Sequence, residues 1–191
     1  MKRKTKIITM AEIAAFASVA FVLDMLSSLY SGFFVSGGSI SIAMVPIIIL
    51  SLRRGPVAGV LCGLIVGLLD LTDGFYTVTD AWYKVFLQVG LDYILTYMFV
   101  GLIGLFKPLF SKIKLLPTVV MLTTIAGVGK FMSHFLSGIL FWPQFDGQAL
   151  GERMIYSLVY NGSYMLPSII LTVGVMCFIT LKFKEILTNK D

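Results

Sequence analysis

Long uncharged apolar runs occupy most of this chain, and they limit how it can fold. Of its 191 residues, 58% are hydrophobic and 13% are charged, against roughly 25% charged in an average soluble domain. A domain of this size buries too small a share of its surface to hide so much apolar material from water. The excess must face lipid, so the sequence predicts an all-α integral membrane protein.

Hydrophobic runs of about 20 residues mark segments that can cross a bilayer as helices. On this basis we predict one membrane domain over residues 1–191, built as a bundle of six transmembrane helices. The predicted spans are 9–30, 38–52, 56–72, 83–106, 116–141 and 155–181. The second is short, and we expect the Gly- and Ser-rich segment 31–38 before it to dip inwards and cover a cavity. An ordinary surface loop is the alternative.

The basic residues are concentrated on one side of these spans. With both termini in the cytoplasm, 12 of the 15 lysines and arginines lie on the inner side, whereas the outer loops carry mostly aspartate and glutamate. This is the positive-inside distribution of membrane proteins. The formal charge of +5 therefore indicates topology and contact with anionic lipid, and it gives no support to a nucleic-acid partner.

Small residues form stripes on two of the predicted helices. On the first helix, Ala14 and Ser18 are four residues apart, and packing within the molecule or against another subunit fits them equally well. On the third, a four-residue glycine repeat predicts close helix contact within the molecule. The repeat consists of Gly55, Gly59, Gly63 and Gly67.

Ionisable side chains inside predicted spans are functional candidates, because a charge at membrane depth is costly. Glu12 fits a capping box with Thr9, so we expect it to cap the first helix rather than to act within the membrane. Asp24, Asp92, Lys130 and His134 then remain, and the last two share one helix face because they are four residues apart.

These groups are expected to converge in the outer half of the membrane. Asp92 lies roughly 13 Å and His134 roughly 12 Å below the outer ends of their predicted helices. Trp142, Tyr156 and Asn161 lie near the outer ends of the last two helices. Together they would suit a small organic solute, and a cation in particular. A buried Asp–Lys pair that neutralises itself, with the aromatic side chains as interfacial anchors, fits the spacing equally well.

The sequence carries no recognisable catalytic or nucleotide-binding motif. A single histidine excludes a multi-histidine metal site, and neither HExxH nor GxSxG occurs. Gly129-Lys130 is not a phosphate loop, because Phe131 stands where Ser or Thr is required. We therefore predict no enzyme activity, metal or cofactor, and uphill transport would need an ion gradient or another subunit.

Several motifs, in their order along the chain, resemble one known family. They lie at 37–41, 51–55, 91–93, 129–138 and 156–167, and include the sequences LDY, GKFMSHFLSG and YSLVYNGSYMLP. The chain resembles the thiamine-specific substrate-binding (S) component of bacterial energy-coupling-factor (ECF) vitamin transporters. The likeness covers nearly the whole chain, and the last two motifs are its most specific part.

The resemblance implies a six-helix S-component fold that binds thiamine near the outer face, beneath the first loop. It implies a multi-pass subunit of an ATP-driven importer in the bacterial cell membrane. Its partners would be a transmembrane coupling subunit and two ATPase subunits. Ala14 and Ser18 match the small-residue stripe that meets the coupling subunit in this family.

The resemblance also implies ligand contacts. Asp92 would hydrogen-bond the aminopyrimidine, with Tyr93 beside it. Lys130 and His134 match the family's pair on the fifth helix, with His134 in more direct contact with the ligand. An aromatic ring for stacking and two polar contacts complete the set: Trp142, Tyr156 and Asn161.

Two other transport functions fit the same residues. One is an S component for another vitamin or a thiamine precursor. The other is a self-sufficient secondary transporter that uses Asp92, Lys130 and His134 as a relay, although the internal repeat usual in such folds is not found here. An intramembrane enzyme is disfavoured, because no nucleophile–base pair is recognisable.

Overall fold

The computed structural model of the chain describes residues 2–29, 34, 38–77, 81–141 and 147–188, without the side chains of Lys2 and Arg3. Helices account for nearly all of these residues, and no strand occurs among them, so the all-α prediction is confirmed. The helices are α1 (Lys2–Ser28), α2 (Met44–Arg54), α3 (Pro56–Asp70), α4 (Trp82–Phe110), α5 (Leu115–Phe141) and α6 (Leu150–Lys182).

Four helices in the described ranges, α1, α4, α5 and α6, are long and apolar enough to cross a membrane. α3 is a shorter apolar helix of 15 residues, and α2 has 11 residues. α2 begins at Met44 rather than at residue 38, because residues 38–42 are not helical. A count of six complete spans and the cytoplasmic location of both termini stay predictions.

α2 lies in the centre of the bundle. Every residue from Met44 to Leu52 is buried, so this helix is covered on all sides by the others. The Ser51 hydroxyl donates to the Gly101 carbonyl oxygen of α4, and it accepts from the Gly104 backbone N–H at 2.9 Å. A short helix suffices here because α2 is surrounded by protein rather than by lipid.

The expected cap at Thr9 and Glu12 is wrong. α1 begins at Lys2, so both residues lie inside the helix, and the Thr9 hydroxyl donates to the Thr5 carbonyl oxygen at 3.0 Å. Glu12 instead forms ion pairs with Arg53, at 3.1 Å, and with Arg54 at the end of α2. The Thr-x-x-Glu pattern reads the same at a helix start and inside a helix. Only the contact of Glu12 with α2, which the sequence does not show, distinguishes the two cases.

Three glycines of the predicted stripe, Gly59, Gly63 and Gly67, pack directly against α4, within the molecule as predicted. The fourth, Gly55, precedes α3, and no atom lies within 4 Å of a β-carbon added to it. A β-carbon added at Gly63 would come within 2.2 Å of the Tyr97 carbonyl oxygen. One added at Gly67 would come within 2.5 Å of the Tyr93 carbonyl oxygen. Only glycine allows so close an approach of two helix backbones, and it brings α3 against the part of α4 that carries Asp92.

Candidate functional site

A cavity of about 410 Å³ lies among α1, α3, α4, α5 and α6. Asp24 of α1 lines it, whereas Glu12 of the same helix pairs with Arg53 and Arg54. Twelve residues of helix separate these two acids, a rise of roughly 18 Å, so the cavity lies far from the arginines. Its volume falls within the roughly 300–1,000 Å³ of small-molecule sites.

A π-helical turn in α4, Gly90–Leu95, carries two of the residues that line the cavity, Asp92 and Tyr93. Such a turn holds an extra residue, which rotates the side chains after it, and π turns inside α-helices occur frequently at functional sites. The Ser133 hydroxyl of α5 donates to the Leu91 carbonyl oxygen of this turn at 2.6 Å. The irregular backbone is therefore supported by the neighbouring helix.

Asp92 and His134 form the centre of the site. The Asp92 Oδ1 atom lies 3.1 Å from His134 Nδ1, and its Oδ2 atom accepts a hydrogen bond from the Ser137 hydroxyl. On the other side of the ring, His134 Nε2 lies 3.2 Å from Thr96 Oγ1. Both carboxylate oxygens and both ring nitrogens have partners, so the two side chains are held in fixed orientations.

Asn161 joins α6 to this centre. Its Nδ2 atom donates to the Ser157 carbonyl oxygen at 2.9 Å and lies 3.4 Å from the His134 carbonyl oxygen. Its Oδ1 atom accepts from the Tyr164 hydroxyl at 2.6 Å. The Tyr164 ring in turn packs edge-on against the His134 ring, with 6.0 Å between centroids.

A second group of polar side chains lines the cavity around Lys130. This side chain is only 8% exposed, and its Nζ atom lies 3.9 Å from the centre of the Tyr97 ring. The carboxyl groups of Asp24 and Asp70, from α1 and α3, line the same cavity. Asp92 pairs with His134 instead, so Lys130 does not neutralise the central acid.

Residues between the helices contribute to the cavity wall. The Ser41 hydroxyl donates to Asp24 Oδ1 at 2.8 Å, and the Tyr76 backbone N–H donates to the Tyr93 hydroxyl at 2.8 Å. The Phe34 ring packs edge-on against Tyr164, with centroids 5.6 Å apart. Most of the segment predicted to cover the cavity, 31–33 and 35–37, lies outside the described residues.

Five of the seven predicted ligand-binding residues line the cavity: Asp92, Tyr93, Lys130, His134 and Asn161. Tyr156 is not among the lining residues, and its ring stacks on Tyr160, which is one of them, at 5.9 Å between centroids. Trp142 lies outside the described residues. Contact of any of the seven with a ligand stays a prediction.

Sequence reasoning gave no role to several residues of the cavity. Asp24 was one of the intramembrane acids without an assigned role, and Asp70, near the end of the third predicted span, was not singled out. Tyr164 lies inside the motif of the last helix, three residues after Asn161, so its position could have indicated a place in the site. Tyr97 and the buried amide of Gln88 had none, because neither belongs to a recognisable pattern.

The residues that line the cavity are suited to a polar organic ligand. Within the described ranges, no three His, Cys, Asp or Glu side chains are grouped so that they could hold a metal. Hydrogen-bonding groups and aromatic rings instead surround a space of small-molecule size.

The fold defines a multi-pass membrane protein with a cavity of small-molecule size inside its helix bundle. The chain belongs to the family described as thiamine transporter protein (Thia_YuaJ), which matches residues 10–188. The resemblance to the thiamine-specific S component is thereby confirmed.

Individual relatives match the chain over almost its full length. It is 31% identical to the thiamine transporter ThiT of Bacillus subtilis (strain 168) over 196 residues, which covers 99% of this chain and 98% of the relative. It is 27% identical to the thiamine transporter ThiT of Lacticaseibacillus paracasei over 201 residues, with 100% and 96% covered. The solved structure of ThiT from Listeria monocytogenes is 25% identical with a TM-score of 0.74, covering 96% of this chain and 99% of that one.

Proposed function

We propose that this chain is the thiamine-binding membrane subunit of an ATP-driven ECF vitamin importer. The observation that carries the proposal is the convergence of Asp92, His134 and Asn161, from three helices, on one cavity. Two relatives that match over nearly the full length are named thiamine transporters, which supports thiamine as the ligand.

Thiamine combines an aminopyrimidine that can donate and accept hydrogen bonds with a thiazolium ring of fixed positive charge. The Asp92 carboxylate is suited to accept from the amino group, and Asn161 carries a second polar group nearby. The aromatic rings of Tyr93 and Tyr164 also line the cavity. Each aromatic face that meets the thiazolium would contribute roughly 0.5–2 kcal/mol.

The cavity would open to the outside of a bacterial cell membrane. Arg53, Arg54 and Lys107 lie at the other end of the bundle, where Lys107 Nζ donates to the Leu52 carbonyl oxygen at 2.8 Å. By the positive-inside rule this basic end faces the cytoplasm.

Energy for uptake would come from partner subunits. The sequence contains no nucleotide-binding motif. Ala14 and Ser18 lie on an exposed face of α1, where a transmembrane coupling subunit that holds two ATPases could pack. The exposure of these small residues supports association with another helix in lipid.

The ligand is tested by titrating the purified protein with thiamine and following its tryptophan fluorescence. We expect a saturable change, because Trp142 is predicted to stack on the ligand, and no saturable change with unrelated vitamins. A saturable response to a different vitamin or to a thiamine precursor, with none to thiamine, would favour an S component of other specificity.

Uptake into liposomes tests the energy source. With the coupling subunit and both ATPases present, we expect thiamine uptake that depends on ATP. The chain alone should give none. Uptake by the chain alone under an ion gradient would instead support a secondary transporter.

A further inference from the structure

Tyr164 of α6 lies between the proposed ligand-binding residues and the segment that precedes α2. Its side chain is almost completely buried, and it lines the cavity. Its hydroxyl donates to Asn161 Oδ1 at 2.6 Å, and its ring packs edge-on against the rings of His134 and Phe34. No role in ligand binding was predicted for Tyr164 from the sequence.

The hydrogen bonds of Asn161 determine which of its groups a ligand can meet. Its Nδ2 atom has two N–H bonds, and the backbone carbonyl oxygens of Ser157 and His134 are their partners. Its Oδ1 atom accepts from the Tyr164 hydroxyl. An amide oxygen has two lone pairs, so this oxygen keeps one further acceptor position. Asn161 can therefore offer a ligand an acceptor, whereas its donors are used within the protein.

The Tyr164 hydroxyl holds this amide from the side of its oxygen. A phenol has a single O–H proton, and here that proton is used on Asn161. Without it the buried amide oxygen would lose its donor, which is costly at a buried position. The amide would then be free to turn its oxygen away from its present direction.

The Tyr164 ring is itself held by the backbone before α2. A β-carbon added at Gly38, where φ is 101°, would come within 2.6 Å of the ring atom Cε1. The next turn of α6 holds the same segment, because the Ser41 backbone N–H donates to Ser168 Oγ at 3.0 Å. The Ser168 hydroxyl in turn donates to the Tyr164 carbonyl oxygen at 2.7 Å. The ring position thus depends on a glycine at residue 38.

We propose that Tyr164 is a positioning residue of the ligand site. Held against Gly38, it directs its hydroxyl to Asn161, so that the amide presents its oxygen to the ligand. An amino group has two N–H donors, so Asp92 and Asn161 can each accept one from an aminopyrimidine. The inference rests on the proposed function. It gives Tyr164 an effect on affinity that acts through Asn161 rather than through contact of its own hydroxyl with thiamine.

The test measures the dissociation constant of thiamine for Tyr164→Phe, for Asn161→Ala and for the double variant. Tyr164→Phe keeps the ring and removes only the hydroxyl. We expect binding at least about fivefold weaker, because the amide oxygen loses its donor. In the Asn161→Ala background the same substitution should change the dissociation constant by less than about twofold, because the amide that the hydroxyl orients is absent. A hydroxyl that contacted thiamine directly would weaken binding in both backgrounds.

Tyr83→Phe is the matched control for the loss of a phenol hydroxyl, since Tyr83 is exposed and does not line the cavity. It should leave the dissociation constant within about twofold of wild type. Thermal melting in detergent shows whether each variant is folded.

Gly38→Ala tests the position of the ring independently, because its β-carbon meets Tyr164. We expect binding at least about fivefold weaker in this variant as well. Gly55→Ala is the control for backbone strain, since Gly55 has a φ of 91° but no atom lies within 4 Å of its added β-carbon. It should keep the wild-type affinity. Gly38→Ala carries the test should Tyr164→Phe fail to fold.

The outcomes separate the two proposals. Wild-type protein that does not bind thiamine contradicts the proposed function itself. Three results contradict only the positioning role while thiamine still binds the wild type. They are full affinity in Tyr164→Phe, full affinity in Gly38→Ala, and an equal loss from Tyr164→Phe with and without Asn161.

Discussion

The Asp92 carboxylate and the His134 imidazole hold each other across the boundary between α4 and α5, with 3.1 Å between Oδ1 and Nδ1. Neither side chain can move without affecting the other helix. The π turn that carries Asp92 is also supported from α5, through Ser133. The site thus depends on the packing of two helices as much as on the residues themselves.

Replacing Asp92 with asparagine should weaken thiamine binding by at least tenfold, or about 1.4 kcal/mol. The substitution keeps the shape of the side chain and removes the negative charge that faces His134 and the cavity. Isothermal titration calorimetry measures the change. Glu152→Gln, which neutralises an exposed acid, is the control and should leave the affinity for thiamine unaltered. If Asp92→Asn and Glu152→Gln have equal affinities, Asp92 is not part of the binding site.

Replacing His134 with alanine should also weaken binding at least tenfold. This change removes the partner of Asp92 and Thr96 and the ring that packs against Tyr164. His134→Gln can restore part of the hydrogen bonding, so we expect its affinity to lie between those of the alanine variant and the wild type. Full affinity in His134→Ala would contradict the arrangement described for α5.

Gly63→Ala should lower the free energy of unfolding by about 1–3 kcal/mol, because a β-carbon there meets the Tyr97 carbonyl oxygen of α4. Thermal melting in detergent measures the loss. Gly174→Ala on α6 is the matched control, since no atom lies within 4 Å of its added β-carbon. If the two variants melt at the same temperature, the close α3–α4 contact is not important for stability.

Ser18→Leu should leave thiamine affinity within about twofold of wild type but reduce co-purification of the proposed coupling subunit at least about tenfold. A leucine would widen the small-residue face of α1. Ser163→Leu on α6 is the control, because Ser163 is also exposed and its hydroxyl also donates to its own helix. Equal recovery of the coupling subunit with both variants would place that interface elsewhere.

Most helices could be predicted from the sequence because hydrophobic length and glycine spacing are local properties. The predicted span 116–141 differs from α5 by one residue at its start, and the α3 glycine stripe has the expected intramolecular role. The start of α1 was missed, because the helix continues through the polar residues before Thr9. The role of Glu12 was missed because its partners, Arg53 and Arg54, are about 40 residues away in sequence.

Site residues that belong to sequence motifs could be predicted. Residues that only tertiary packing brings to the cavity could not. His134 and Asn161 belong to recognisable stretches, and both line the cavity. Asp24, Asp70 and Lys130 line one cavity from three different helices, and their positions follow no sequence period. The π turn at Asp92 has no sequence signal that distinguishes it from an ordinary helix.

A structure determined with thiamine bound tests the central claim most directly. We predict a single thiamine inside the cavity, with its aminopyrimidine within about 3.2 Å of the Asp92 carboxylate and with His134 and Asn161 also in contact. Thiamine bound at another surface, or an occupied cavity in which these three side chains do not touch it, would contradict the account.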